Sequence, residues 1–498
     1  MFFFALCKLS SNAQVQPEWT ANYAINPTTF PKPIDLVEVV SSPVVLCSSN
    51  DTTCGGYLYH LYHVNSSGVL EGIASFDTVS CFNELGVGIT TDGIGRIFVT
   101  ATDSDGTFLA DGLLNQYDDT LGFLRSDYLT PRRISEPFIS PSKHQVYCFG
   151  GNNHNNVYCM DTSGTVLWFF TDSVAFTYPS YKKIFITADS VFAVGNGYTG
   201  LNSTSGHLWM IIADTLGNRH DTVQYDKYTS GVNSLFYAQL LSNSLLAYGF
   251  KNSNMNSCDI GVLDRSGQPV WERNVNGYLQ DAAVDTTAGL YYALFSPTAV
   301  ASSVTLFRIN IITGVTLDSH IVQVSASLSS LLAVDSAVGV YVIVLDSSNY
   351  YLKVYRYNIY GLIDFRGTYF FQNPYQYLVS AKVFSDRALY ITGYDFGLPM
   401  MLVKFSATPL AVPENRDVSL FEVYPNPCEH YVRIKFASGL SIKQVHCYDL
   451  VGRMILDFQL EDDEFTIETS QFQNGIYLID VITIDGLHFT QKLIIQHQ

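Results

Sequence analysis

Four stretches of the chain share one form: an apolar run, a polar loop, a second apolar run and a turn with glycine. They are VYCFGGNNHNNVYCMDTSGTVLW (Val146–Trp168), SVFAVGNGYTGLNSTSGHLWMIIADTLGN (Ser190–Asn218), SLLAYGFKNSNMNSCDIGVLDRSGQPVW (Ser244–Trp271) and ALYITGYDFGLPMMLVKFSA (Ala388–Ala407). Looser copies begin near Val44, Arg96, Leu290 and Val340, which places first strands near 44, 97, 146, 191, 245, 290, 340 and 389. The turns share a chemistry. Asp-Thr-Ser-Gly follows Met160, Asp-Thr-Leu-Gly follows Ala213 and Asp-Arg-Ser-Gly follows Leu263. Such an Asp bonds back to the local backbone, and the Gly accepts positive φ.

Each unit offers three or four short strands and no helical period. Units of roughly 40–50 residues with this content cannot bury their faces alone and pack around an axis as propeller blades. The expectation is all-β: a seven- or eight-bladed β-propeller over residues 14–408, with PEWTANY (Pro17–Tyr23) closing the ring on the last unit. Tandem β-sandwiches would need units of about 80–100 residues, so the shorter spacing counts against them. The repeats resemble the divergent propeller repeats of bacterial secreted proteins, without a Trp-Asp or kelch signature. Composition agrees: 33 Tyr and 32 Phe in 498 residues, with only 14% charged, suit pleated surfaces. A net charge of −18 repels phosphate backbones and anionic membranes, so no nucleic-acid partner is expected.

The start, MFFFALCKLSSNAQ, has an apolar run from Phe2 to Cys7, then Ser11 and Ala13 as small residues before a cleavage point at Gln14. It reads as the remnant of a secretory signal over residues 1–13 that lacks a basic n-region; a ragged hydrophobic terminus is the alternative. No apolar run approaches about 18 residues, so no transmembrane span is expected. Of nine Cys, eight lie beyond the signal. Cys148 and Cys159 occupy two strand-like runs joined by a polar loop and are candidates for a disulfide across a hairpin. Cys428 with Cys447, Cys47 or Cys54 with Cys81, and buried free thiols are the other readings.

SATPLAVPENRDVS, with Pro409 and Pro413, has almost no apolar periodicity and reads as a linker over 409–419. Seven strand candidates follow in 420–498: FEVYP, YVRIKFA, KQVHCYDL, RMILDFQL, EFTIET, GIYLIDVIT and FTQKLIIQ. That count suggests a small immunoglobulin-like β-sandwich. Four motifs run in order to the chain's end: YPNP (Tyr424–Pro427), YDLVGR (Tyr448–Arg453), NGIYLIDV (Asn474–Val481) and QKLII (Gln491–Ile495). Together they resemble the type A C-terminal sorting domain of the Bacteroidota type IX secretion system. Cys428, Cys447 and the three residues after Ile495 depart from the pattern. The resemblance implies export to the periplasm, docking of this domain with the outer-membrane translocon, and cargo attached to the surface or released, commonly after removal of the domain. The residues it singles out are Tyr424, Pro425, Asn426, Pro427, Gly452, Gly475, Tyr477 and Lys492. In structural terms the prolines stiffen a strand entry, the glycines make turns and Tyr477 fills a core.

No Gly-x-Ser-x-Gly, His-Glu-x-x-His or phosphate loop occurs. His60 and His63 fall three apart on a strand and so on opposite faces, a poor metal pair. Asp103, Asp105 and Asp111 could offer Ca²⁺ hard oxygens, yet their spacing is not that of an EF-hand, and a solvated turn is the other reading; Gly150–Val157 has the same two readings. No other cofactor is expected. Trp168, Trp209 and Trp271 recur at similar positions, either as inter-blade packing or as stacking faces for sugars or partner side chains. The functional expectation is a secreted or surface propeller binding an extracellular protein or glycan. Its rivals are a hydrolase or lyase acting on polysaccharide or peptide at the propeller mouth, with carboxylates far apart in sequence, and a passive spacer.

Overall fold

The computed structural model describes residues 17–497 apart from 24–30, 51–56, 77–84, 105–109, 130–136, 141–144, 151–154, 173–179, 199–205, 226–232, 242–244, 253–256, 299–300, 347–350, 371–376, 395–398, 407–420, 437–441, 450–453, 460–463 and 484–487. The described residues form strands and turns without an α-helix, and no helix is long and apolar enough to cross a membrane. The chain divides into two compact units, Gln16–Thr408 and a second holding Pro409–Gln498.

In the larger unit, six antiparallel sheets have four strands, and one sheet, spanning 278–370, has seven. The six cover 32–76, 85–129, 138–172, 180–225, 233–276 and 377–405, the last completed by Trp19–Tyr23. That N-terminal strand pairs with Met400–Phe405, Trp19 opposite Lys404 and Tyr23 opposite Met400. The seven-stranded sheet runs through one 20-residue strand, Thr316–Asp335, whose two halves pair with different neighbours. The first strands form a closed chain of contacts: Lys32–Val39 touches Leu85–Thr91, contacts continue sheet by sheet, and Tyr377–Val383 returns to Lys32–Val39.

Hydrophobic clusters lie between consecutive sheets. In Ser42–Asn50, Val44 and Leu46 pack toward Ile97 and Leu113, whereas Val45 and Cys47 pack toward Tyr390 and Met400. Period-two alternation gives one strand two apolar faces and two neighbours. The seven-stranded sheet obeys the same rule, its two halves enclosing Tyr292, Leu306, Val322 and Val342.

The apolar runs near 44, 97, 146, 191, 245, 290, 340 and 389 are second strands, not first ones: Ser42–Asn50, Ile97–Ser104, Gln145–Gly150, Ser190–Tyr198, Leu246–Asn252, Leu290–Ser296, Gly339–Asp346 and Leu389–Tyr394. Second strands are buried on both faces and read as continuous apolar text. First strands are more polar, and a bulge breaks their alternation between Pro33 and Asp35, Gly86 and Gly88, Tyr181 and Lys183, Leu235 and Tyr237, Leu279 and Asp281, Ser327 and Ser330, and Leu378 and Ser380.

Six turns between third and fourth strands follow one design, and a seventh, at Asn310, takes bonds from residues two and three on. Asp161 Oδ1 accepts from the N–H groups of Ser163 and Thr165 at 2.8 and 2.9 Å. Asp118, Asp214 and Asp264 do the same, as do Asn65 and Asn358. Bonds from Ser163 and neighbouring amides hold the Asp161 carboxyl below its usual range.

The smaller unit has two sheets. Phe421–Tyr424, Tyr431–Phe436 and Glu464–Glu468 form one; Met454–Gln459, Ile442–Asp449, Gly475–Thr483 and His488–Ile495, in that spatial order, form the other. Val432, Ile434, Val445, Ile467, Tyr477, Ile479, Leu493 and Ile495 fill the space between them.

Candidate functional site

The YPNP segment does more than stiffen a strand entry. Asn426 Oδ1 accepts the Ile494 N–H at 2.8 Å, the Cys428 N–H donates to the Ile494 carbonyl at 2.9 Å, and the Gln496 N–H donates to the Cys428 carbonyl at 2.9 Å. A parallel bridge joins Cys428 to Ile495. The proline pair thus lays four residues along the end of the final strand; prolines suit this place because they have no N–H to leave unpaired. From the other side, Asn474 Oδ1 accepts the His497 N–H at 2.7 Å and His497 Nε2 lies 2.8 Å from the Phe472 carbonyl. Gln496 and His497, after Ile495, are therefore part of the fold. Tyr477 is buried, lies tilted against Phe472 with ring centroids 5.3 Å apart and donates to the Gln473 carbonyl at 3.0 Å.

Gly475 corrects its expected role. It opens the strand Gly475–Thr483, opposite Ile495, and a Cβ there would meet nothing closer than 3.9 Å. Tyr424 pairs with Arg433, and Lys492 stands opposite Leu478. Gly452 lies outside the described residues.

The expected Cys148–Cys159 bridge is not formed. The hairpin exists, but its register sets Cys148 against Tyr158 and Tyr147 against Cys159, so the sulfurs leave opposite faces into different clusters. Both thiols are free and buried, as are Cys47, Cys258, Cys428 and Cys447, so the Cys428–Cys447 pairing is not formed either. Burial pushes the Cys447 thiol up to about 12. Cys54 and Cys81 lie outside the described residues.

Asp103 stands opposite Asp111 across a hairpin, while Asp105 lies outside the described residues. Among the described residues no group of three or more His, Cys, Asp or Glu is placed to hold a metal ion. His60 is buried between hydroxyls, 2.6 Å from Ser49 Oγ and 2.7 Å from Ser75 Oγ, and His63 lies 3.9 Å from Glu71.

Trp209 corrects another expectation. It sits in a third strand opposite Gly195 and Gln224, whereas Trp168 and Trp271 occupy fourth strands. The true third member is Trp19. Each of these indoles donates to a carbonyl in the next sheet's turn: Trp19 to Ser66 at 2.7 Å, Trp168 to Thr215 at 3.1 Å, Trp271 to Ile311 at 2.7 Å. Each also covers a turn glycine of positive φ, Gly68, Gly217 and Gly314. They join neighbouring sheets.

At the first-strand bulges, polar groups tie one first strand to the next, within the seven-stranded sheet at Asp281 and between sheets at Asp35. Asp281 accepts from the Leu332 N–H at 2.7 Å and from the Ala282 N–H at 2.8 Å. Asp35 takes bonds from Ser380 Oγ at 2.9 Å and Lys382 Nζ at 2.8 Å. Burial pushes the Asp281 carboxyl up to about 6, opposed by those two amides and by Lys183. Sequence reading passed over these residues because each is an isolated polar position whose partners lie in another unit.

Residues 422–496 match the family model described as the secretion system C-terminal sorting domain. No curated protein matches the chain. Among solved structures, the Dos1 propeller is 10% identical with a TM-score of 0.52, covering 78% of this chain and 95% of its own. Sqt1 of Saccharomyces cerevisiae is 10% identical with a TM-score of 0.51, covering 79% and 100%. The C-terminal WD40 domain of Sif2 is 11% identical with a TM-score of 0.49, covering 78% and 99%. At these identities the first two likenesses establish a β-propeller fold for the larger unit and nothing of its ligand.

Proposed function

We infer that the chain, which residues 422–496 direct through the type IX secretion system to the cell surface or the medium, delivers an eight-bladed propeller that binds an extracellular protein or glycan. Eight blades is the reading favoured by the closed series of first-strand contacts, with the seven-stranded sheet counted as two blades sharing the strand Thr316–Asp335. The proposed order is a signal over 1–13, the propeller over 14–408, a linker over 409–419 and an immunoglobulin-like sorting domain over 420–498, in an organism of the Bacteroidota. The separation at Thr408 and Pro409 supports that linker.

A single observation carries the binding reading: the blades spend their conspicuous aromatic and carboxylate groups, Trp19, Trp168, Trp271, Asp35 and Asp281, on joining one another. The indoles carry no titratable group, and Asp35 and Asp281, so engaged, are not free to serve as acid and base, which favours recognition at the surface as the use of the ring. A glycan array and a pull-down from surface extracts, using the exported chain, test this. Retention of a defined glycan or protein is the expected result; silence in both with turnover of a polysaccharide or peptide would replace the reading by a hydrolase or lyase.

A further inference from the structure

We propose that the open half of the final strand, His488 to Lys492, is where the export machinery docks, by adding an extended segment of its own as a further strand. This rests on the sorting reading above.

The main-chain groups of Ile494 and Gln496 point away from the neighbouring strand, since they bond to Asn426 and Cys428 instead. In an antiparallel ladder such groups alternate. Those of His488, Thr490 and Lys492 therefore point the same way, and they have no main-chain partner among the described residues. The Pro425–Cys428 segment covers only the end of the strand. What remains is an edge of five residues, about 17 Å long, closed at one end by a proline clamp that fixes where an incoming strand must stop.

Unpaired N–H and C=O groups at strand spacing are complementary to another extended main chain, the chemistry of strand addition. The other edge of this sheet, Met454–Gln459, lacks the convergence seen here. Pro425, Asn426 and Pro427 form the clamp; Gly475 and Tyr477 pair with Ile495 and Leu493 of the same strand; Lys492 lies in the open stretch. Gly475 has no steric need to be glycine, so its place beside this strand is a further sign of use. Of the residues that mark the sorting domain in sequence, Asn426, Gly475 and Tyr477 hold this strand and Lys492 belongs to its uncovered half.

The test uses the full chain in its export host. Thr490→Pro deletes an outward N–H and no bond of the ladder, whereas Gln491→Pro deletes a ladder bond. Thr490→Pro should lower the exported amount about tenfold, with the purified chain melting within about 2 °C of the parent; Gln491→Pro should lower both. Normal export of Thr490→Pro overturns the proposal. If Thr490→Pro unfolds, a photo-crosslinking amino acid in place of Lys492 decides: an adduct with a machinery component, absent when the crosslinker replaces Met454, supports the proposal. No such adduct, or one only with a second copy of this chain, overturns it. Deleting 409–498 keeps the two readings apart. Continued export of that truncation refutes the sorting reading itself, while its retention beside normal export of Thr490→Pro refutes the docking edge alone.

Discussion

Trp19 covers Gly68 so closely that a Cβ on the glycine would fall 2.6 Å from the indole Cδ2. Gly68 has φ +82°, and the indole also donates to the carbonyl of Ser66. Tyr23 on the same strand donates to the Gly68 carbonyl at 2.8 Å, and Lys404 bridges Glu18 and Asp386 at 3.1 and 3.3 Å. This is where the two ends of the ring are fastened. Trp19→Ala should cost about 2–3 kcal/mol. Gly68→Ala should cost a comparable amount, part from the clash and part from positive φ. In the double variant the clash is relieved while the backbone strain stays, so the double variant should cost less than the two single costs added together. Denaturant melts of the four proteins check this, and strict additivity would contradict it.

Asp281 sets a pH dependence. Its carboxyl, enclosed by protein although the residue is partly exposed, titrates near 6 rather than near 3.8 because burial disfavours the charge. The folded chain thus holds this proton more tightly than the unfolded chain does. The associated stability is complete at pH below about 4, falls as pH rises through 6, and is constant beyond. Allowing for partial access of solvent, the change is on the order of 1–2 kcal/mol. Asp281→Asn should flatten the stability profile between pH 4.5 and 7 by that amount; urea melts across the range with an unaltered slope for the variant would refute the assignment.

How much of this was legible in sequence followed from the range of each interaction. Asp161, Asp214 and Asp264 were readable because each turn is closed by bonds to amides two and four residues on. Second strands were readable because burial on both faces leaves unbroken apolar text, as in Gly339–Asp346. First strands were not, since Lys183, Asp281 and Ser380 interrupt the alternation at bulges, and the partners of Asp281 and Ser380 lie 51 and 345 residues away. The spacing of Cys148 and Cys159 announced a hairpin but not its register, and one residue of register decides which face a sulfur leaves. In the sorting unit the motif letters were plain, yet the clamp of Asn426 on Ile494 spans 68 residues.

Asn426 tests that clamp. Asn426→Ala leaves the Ile494 N–H without its acceptor and should cost about 1 kcal/mol in the sorting unit. Asn426→Asp keeps an acceptor at that place and should cost less. Hydrogen exchange at Ile494 is the measurement: faster in Asn426→Ala, near the parent rate in Asn426→Asp. Equal rates in all three would show that the side chain does not hold the strand.

Two glycines separate fold from recognition. At Gly339, φ is +139° and a Cβ would sit 2.0 Å from the Tyr357 carbonyl oxygen, a backbone atom that cannot swing aside. Gly339→Ala should therefore lower the stability of the larger unit by about 2–4 kcal/mol. At Gly475 no positive φ is present and the nearest atoms to a Cβ stand 3.9 and 4.0 Å away. Gly475→Ala should leave stability within about 0.5 kcal/mol of the parent. If the exported amount nevertheless falls, the glycine is needed for contact with the machinery and not for the fold. A marked drop in the melting temperature of Gly475→Ala would instead restore a structural role and remove Gly475 from the residues offered to a partner.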